Sequence, residues 1–436
     1  MKFKILSPFR VILAGFALLI LLGAFLLSLP ISSAEGVPTP FSDALFTSAS
    51  AVCVTGLVVR DTATYWSAFA QGLILALIQI GGLGVVTMTV GLTLVTGKKL
   101  GLSGRSTLQE STSAPTLGSI MSHTGFIFKA TLVIEFSGAL LLMPAFVRDH
   151  GWRGVWMSVF HSISAFCNAG FDVSGNYASL TAYSSDPLVN VPVILLIVIG
   201  GLGFLTYRDV LTHGLRFKKY SLQSKVVIVT TAVLLIIPAV FFFFFDFSKM
   251  PLGERIWCSL FQSVTARTAG FNTADQSLLS SNGRVLMTVL MLTGGSPGST
   301  AGGMKTTTLA LLFAAAFGVF GKRSSTKVFS RRVPDETVRT ASTLLLTYLI
   351  LFLIGGCAIS ALDSLPLGDC LFESASAVGT VGLSLGITGL LGTASKLIVT
   401  ALMFVGRVGG LTVIYAALGT NRTDVEKYPV EKITVG

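Results

Sequence analysis

The sequence predicts an all-α integral membrane protein in which four helix, pore-loop, helix repeats surround one pseudo-fourfold, single-chain pore. Three observations carry that reading. Of the 436 residues, 52% are hydrophobic and only 12% charged, with a mean hydropathy of +0.78, a balance foreign to soluble domains of this length. Crossing a hydrocarbon core takes about 20 apolar residues. Runs of that kind recur at 11–29, 68–96, 124–147, 187–206, 225–245, 284–320, 340–361 and 395–419, which we read as eight full spans. Between the two members of each successive pair lies a shorter segment rich in Ser, Thr and Gly that returns to the side it came from.

The first run follows Lys2, Lys4 and Arg10, as the core of a secretory signal would. Its apolar stretch from Val11 to Leu29 exceeds the roughly 7–15 residues of a signal core. It also fills the first slot of the repeat, so it is read as a retained helix. Orientation follows from the basic residues, which gather in loops that stay in the cytoplasm. With both termini inside, the inner segments hold Lys98, Lys99 and Arg105, a group from Arg208 to Lys225, another from Lys322 to Arg339, and Arg422, Lys427 and Lys432 of the tail. The outer segments hold acids such as Asp43, Asp61, Asp172, Asp186 and Asp275. The net charge of +11 therefore reads as membrane topology and not as nucleic-acid binding. The five cysteines form no Cys-x-x-Cys pair and the four histidines are scattered, which argues against a disulfide framework or a metal site. The chain has no His-Glu-x-x-His motif, paired intramembrane Asp or Ser/His pair, which sets a membrane enzyme aside.

The four short segments read FTSASAVCVTGL (46–57), FHSISAFCNAGF (160–171), FQSVTARTAGF (261–271) and FESASAVGTVGL (372–383). Each opens on Phe, runs through small residues at helical spacing, and closes on a Gly followed by Leu or Phe. Gly56, Gly170, Gly270 and Gly382 recur at intervals of roughly 100 residues, the length of one two-span unit. The units divide at 1–97, 98–213, 214–321 and 322–420, with a tail at 421–436. The third segment is one residue shorter, so its register is fixed only near Gly270.

Pro40 with Asp43, Pro251 with Glu254, and Pro366 with Asp369 mark helix starts, with proline in the first turn and an acid at the positive end of the dipole. The second copy has Gly151 and Gly154 instead. All four helices are too short to span. Irregular backbone at membrane depth persists only where protein buries it or where it lines a water-filled cavity. Four such segments around one axis would aim four partly negative helix C-termini at a common point, which attracts cations. Glycine there lets carbonyl oxygens turn inward and replace an ion's hydration shell. Close packing of small residues would account for one such segment, but not for four at a regular period.

The span at 284–320 is too long for one crossing and is interrupted by Gly294, Gly295, Ser296, Pro297, Gly298, Ser299, Thr300, Ala301, Gly302 and Gly303. Proline and glycine break the helix there. The freed backbone needs a wet or protein-lined place, and beneath the four loops that place is the pore. A kink for packing would explain the proline but not the glycines. Arg407 lies well inside the last run, where a charge must face the interior and find partners, and the nearby loop's carbonyls are the expected ones. Glu135 is intramembrane as well, and a structural hydrogen bond suits it as well as a role in transport does. Lys129 can snorkel to the inner surface.

The four loops, LTGGSPGSTAGGMKTTT (292–308) and MFVGRVGGLTV (403–413) together resemble the membrane subunit of the bacterial Ktr potassium transporters, within the Trk, Ktr and HKT superfamily, over nearly the whole chain. The first span already belongs to the first repeat, which favours the Ktr branch. The resemblance implies uptake of K+ as substrate through a selectivity filter, stimulated by Na+, in a multi-pass protein of the bacterial plasma membrane. It also implies a homodimer with one pore per subunit and a cytosolic ring of nucleotide-binding regulatory subunits. The segment at 294–303 becomes an intramembrane gating loop.

Filter residues carried over position by position are Val54, Thr55 and Gly56; Asn168, Ala169 and Gly170; Thr268, Ala269 and Gly270; Thr380, Val381 and Gly382. Each loop keeps one Gly of a channel-type Thr-Val-Gly-Tyr-Gly. Cys53 and Cys167 precede two of the triplets and are read as small packing residues. Arg267 precedes the third and is expected to pair with an acid or with carbonyls. The competing reading is a secondary transporter of another solute with a midplane site in broken helices, but such proteins break helices in pairs, whereas four equivalent loops suit a pore.

Overall fold

The computed structural model describes residues 8–84, 87, 120–323 and 325–418. The basic loop around Lys98 and the tail from 421 lie outside them. The first repeat comprises a long helix α1 (Pro8–Ser28), a short α2 (Phe41–Val52) and α3 (Ala68–Leu83). The second comprises α4 (Ile120–His150), α5 (Trp152–Phe166), α6 (Pro187–Leu202) and α7 (Phe204–His213). The third comprises α8 (Leu222–Phe244), α9 (Leu252–Thr265), α10 (Ser281–Met291) and α11 (Thr306–Phe320). A two-residue hairpin, β1 (Lys327–Val328) and β2 (Arg331–Arg332), leads into the fourth: α12 (Asp335–Asp363), α13 (Leu367–Gly379), α14 (Thr393–Val408) and α15 (Gly410–Leu418).

The expectation of eight full spans, of which only that at 284–320 is interrupted, needs correction. Among the described residues, the helices long and apolar enough to cross a membrane alone are the opening helix of each repeat: Phe9–Ser28, Thr124–His150, Leu222–Phe244 and Asp335–Asp363. The second helix of every repeat is broken, and not only that of the third. The cause is local. The sequence IGGLG at 80–84 and 199–203, and VGRVG at 405–409, ends each helix on a glycine with nearly the same backbone: φ 87, ψ 134 at Gly84, φ 88, ψ 141 at Gly203, and φ 94, ψ 132 at Gly409. A positive φ of that size costs a non-glycine residue dearly. Past Gly203 the chain turns by 97° into α7. In the third repeat the break widens into the irregular loop between Met291 and Thr306.

Short helices α2, α9 and α13 begin as expected at Pro40, Pro251 and Pro366, but the prolines stand one position earlier than the first turn, at the N-cap, with Asp43, Glu254 and Asp369 in the turn itself. The glycines of the second repeat also find their reason. α4 runs to His150 and α5 starts at Trp152, so one residue, Gly151 at φ 56, makes the whole turn. A side chain on Gly154 would lie 2.3 Å from the Phe146 carbonyl oxygen of the preceding helix.

The repeats close on themselves. The second helix of each packs on the short helix of the next: α3 on α5, α6 on α9, α10 on α13, and α14 back on α2. Outside this ring the long helices expose apolar side chains such as Leu18, Phe25, Leu132, Phe136, Ile236, Ile237, Leu346 and Ile354, the surface a lipid solvent requires.

Candidate functional site

The four short helices end at one axis, and the residues after them share one conformation. Val54, Asn168, Thr268 and Thr380 have φ of 56, 58, 65 and 51; two residues on, Gly56, Gly170, Gly270 and Gly382 have φ of 93, 66, 80 and 95. The shorter third segment thus regains register at Thr268. A serine or threonine four residues after each opening Phe holds the strand. Ser50 and Ser376 accept from the amides of Gly56 and Gly382 at 3.1 and 3.0 Å, while Ser164 and Thr265 donate to the carbonyls of Phe171 and Phe271, both at 2.7 Å.

The glycines meet in a closed circle. A methyl group on Gly56 would lie 2.5 Å from the Ala169 carbonyl oxygen, one on Gly170 2.7 Å from that of Ala269, one on Gly270 2.4 Å from that of Val381, and one on Gly382 2.1 Å from that of Thr55. The order one, two, three, four, one needs a ring. All twelve residues picked out from the sequence sit in it. The four carbonyls at Thr55, Ala169, Ala269 and Val381 thus encircle the axis, with four helix C-termini behind them.

Above the ring opens a cavity of about 470 Å³ lined by the ring glycines and by Asp61, Asp172, Tyr177, Asn272, Ser384 and Thr388. Asp61 is held by the amide and hydroxyl of Thr64, at 3.0 and 2.6 Å, and by the amide of Tyr177 at 3.1 Å. Burial, and after it the neighbouring Asp61 charge, push the Asp172 carboxyl up to about 6, against hydrogen bonds from Ser174 and Gly175.

Beneath the ring lies the loop at 294–303, tied to repeats on either side. The amide of Ser296 donates to Gly201 O at 2.9 Å, the Phe204 amide to Gly298 O at 2.9 Å, and the Thr300 hydroxyl reaches Phe166 O and Gly200 O at 2.9 and 3.1 Å. On the other side, the Gly303 amide donates to Gly406 O at 3.1 Å, and a side chain on Gly302 would strike the Thr380 hydroxyl at 2.2 Å. Arg407 reaches the loop as expected, but through one carbonyl only, that of Thr300. Its other bonds go to Gly81 and Gly82 of the first repeat, the latter at 2.8 Å. Arg407 stands where the other repeats have Gly82, Gly201 and Gly295. Under the loop a cavity of about 350 Å³ is lined by Arg407, Lys305, Tyr348 and loop backbone.

Arg267 does not pair as expected: among the described residues its Nε and Nη2 have no protein partner, although the residue is 5% exposed. It replaces Cys53, Cys167 and Gly379 of the other repeats and is packed beside the ring instead of bonded there. Glu135 accepts from Gln79 at 3.2 Å and meets the Cys167 thiol at 3.9 Å, a structural contact behind the second ring strand. Sequence reading missed Lys305, which donates to Ala301 O at 2.9 Å under the loop. It also missed Glu373, buried behind the outer cavity on Thr388. A lysine two residues after the glycine run was the available signal for the first. The signal for the second was an acid directly after the opening Phe of FESASAVGTVGL, where the other copies have Thr, His and Gln.

A sequence profile of the TrkH family, described as cation transport protein, matches residues 7–422. Among curated proteins, the potassium/sodium uptake protein NtpJ of Enterococcus hirae is 40% identical, over 99% of this chain and 98% of its own length. The Ktr system potassium uptake protein B of Bacillus subtilis is 36% identical, over 99% and 97%. Among solved structures, the potassium transporter TrkH from Vibrio parahaemolyticus superposes with a TM-score of 0.75 at 19% identity, covering 96% of this chain and 86% of that one. With the pseudo-fourfold ring and a match over nearly its whole length, the chain belongs to the TrkH family of cation transport proteins.

Proposed function

We propose that this chain forms the pore of a potassium uptake system and passes K+ inward through the four-carbonyl ring. The observation that carries the reading is the closed circle of glycine contacts, which brings one carbonyl from each repeat to a common axis. Such a ring can replace the hydration shell of a cation without any charged side chain. Asp61 and Asp172 in the outer cavity raise the local cation concentration. The triplets at 54–56, 168–170, 268–270 and 380–382 form the filter. The relatives named for potassium uptake favour K+ as substrate, and the Enterococcus relative, named for potassium and sodium together, favours stimulation by Na+. The Ktr system names suit a chain that works with other components; we take these to be a second copy and a cytosolic nucleotide-binding ring. Both termini lie in the cytoplasm, consistent with the basic inner segments.

In this reading the loop at 294–303 is the gate. It lies across the axis under the filter, and Arg407 pins it while placing a positive charge on the cation path. The test is rubidium uptake into liposomes by the purified chain without any partner. Deletion within 296–302, or Arg407→Ala, raises basal flux; Arg407→Lys falls between, because an ammonium keeps the charge but loses the planar fork. Flux unchanged by both alterations, in protein that remains folded and inserted, would place the gate elsewhere.

A further inference from the structure

We propose that Asn168 and Thr300 couple the loop to the filter, so that the loop's position sets ion preference as well as flux. This rests on reading the ring as the filter and 294–303 as the gate. Thr300 has every polar atom engaged, with partners in the second and fourth repeats. Its amide donates to Gly200 O at 3.3 Å, its hydroxyl reaches Phe166 O and Gly200 O, and its carbonyl accepts from Arg407. Its hydroxyl oxygen also accepts from Asn168 Nδ2 at 3.3 Å. Asn168 is itself in the ring, in the left-handed conformation two residues before Gly170. Phe166 is the last residue of α5, immediately before the turn into that strand. One loop residue therefore holds both ends of the bend that aims the Ala169 carbonyl at the axis.

The other strands are held differently. Val54 has no polar group to offer, and among the described residues the hydroxyls of Thr268 and Thr380 have no protein partner, that of Thr380 merely abutting Gly302. Swinging the loop aside strips the second strand of its support and leaves the first and third untouched. Ion preference is a matter of how four oxygens share one ion, so releasing one of them changes it. Linkage makes the effect reciprocal: an ion that binds the supported ring better must also hold the loop in place.

Asn168→Thr is the informative substitution, because threonine already occupies this conformation at Thr268 and Thr380; Thr300→Val removes the hydroxyl at nearly constant shape. Each should change the rubidium-to-sodium uptake ratio in liposomes by about 5-fold or more, and the double variant should do no more than the larger single one. The second readout is the rate at which a cytoplasmic-side thiol reagent labels a Ser299→Cys loop, above the background of the native cysteines. Saturating rubidium should slow that labelling in the otherwise native chain and not in Asn168→Thr. An unchanged uptake ratio in both single variants, multiplying effects in the double, or equal rubidium protection with and without Asn168 overturns the coupling. Failure of the underlying reading looks different: Gly270→Ala would then also leave the uptake ratio as it was.

Discussion

The third repeat and the other three reach the same ring by different means. In the first, second and fourth repeats the short helix is clamped to the long one by a serine against a glycine. Ser48 donates to Ile20 O at 2.7 Å, Ser162 to Glu135 O at 2.6 Å and Ser374 to Phe352 O at 2.8 Å. Their hydroxyls fill the places where Gly23, Gly138 and Gly355 lack side chains, 2.4, 2.5 and 2.7 Å from the missing methyls. The third repeat has no glycine in α8, and Ser263 turns back to Leu260 O of its own helix at 3.0 Å. Its short helix is held instead at its outer end, where Arg255 donates to Phe243 O at 2.7 Å and lies 4.0 Å over the Phe243 ring. Its second helix also breaks into a long loop, where those of the second and fourth repeats are interrupted at a single glycine, Gly203 and Gly409. Pseudo-symmetry is kept where four segments of the chain must meet and relaxed in the repeat that carries the loop we propose to move.

The largest test of that comparison is at the ring, where the third repeat should behave like the rest. Gly382→Ala places a methyl 2.1 Å from Thr55 O, and Gly270→Ala one 2.4 Å from Val381 O, each at a φ no alanine adopts comfortably. The obstacle is backbone in both cases and cannot swing away. Rubidium uptake should drop about 100-fold in either variant. Normal uptake by Gly270→Ala beside a dead Gly382→Ala would show that the third strand does not take part.

An intermediate effect is expected at the outer ends of the short helices. Asp43 is almost fully buried between Lys396 of the fourth repeat at 2.8 Å and Arg60 at 2.9 Å, so it seals the seam where the last repeat meets the first. Among the described residues, Glu254, its counterpart in the third repeat, has a single 2.9 Å hydrogen bond, from Ser184. Asp43→Asn leaves a buried ammonium short of its counter-charge and should cost about 3 kcal/mol in thermal unfolding of the detergent-solubilised protein. Glu254→Gln should cost less than about 1 kcal/mol. Equal losses would mean that the seam is no more dependent on its charges than the other junctions.

How much of this was legible in the sequence depends on whether the signal was periodic. The four Phe-to-Gly segments and the ring glycines were, because apolar spans and small residues recur in register, and Gly56 to Gly382 could be aligned without a structure. The loop at 294–303 was also legible, since so many glycines around Pro297 cannot be helix. The breaks at Gly84, Gly203 and Gly409 were not recognised. A single glycine inside an apolar run is ordinary in membrane helices, and only the repeated Gly-x-x-Gly spacing across three units gives it meaning. Arg407 was recognised as an interior charge, but its partners Gly81 and Gly82 come from the far end of the chain, and no local pattern announces a contact between the last repeat and the first. Arg267 shows the reverse error: general electrostatics demanded a partner, and the packing of α9 supplied none.

The smallest expected effect is the most specific to the difference between the repeats. Ser48, Ser162 and Ser374 each donate to a carbonyl of the neighbouring long helix, whereas Ser263 donates within its own helix. Hydrogen bonds between helices in membranes average about 0.6 kcal/mol, because a helix freed in lipid finds other partners. Ser48→Ala, Ser162→Ala and Ser374→Ala should each lower stability by about that much, and the triple variant by about their sum, since the sites share no partner. Ser263→Ala should be neutral, as its hydroxyl links nothing to anything outside α9. A loss at Ser263 equal to the others would mean that the third short helix is clamped like its counterparts. The freedom we assign to that repeat would then have to reside in its second helix alone.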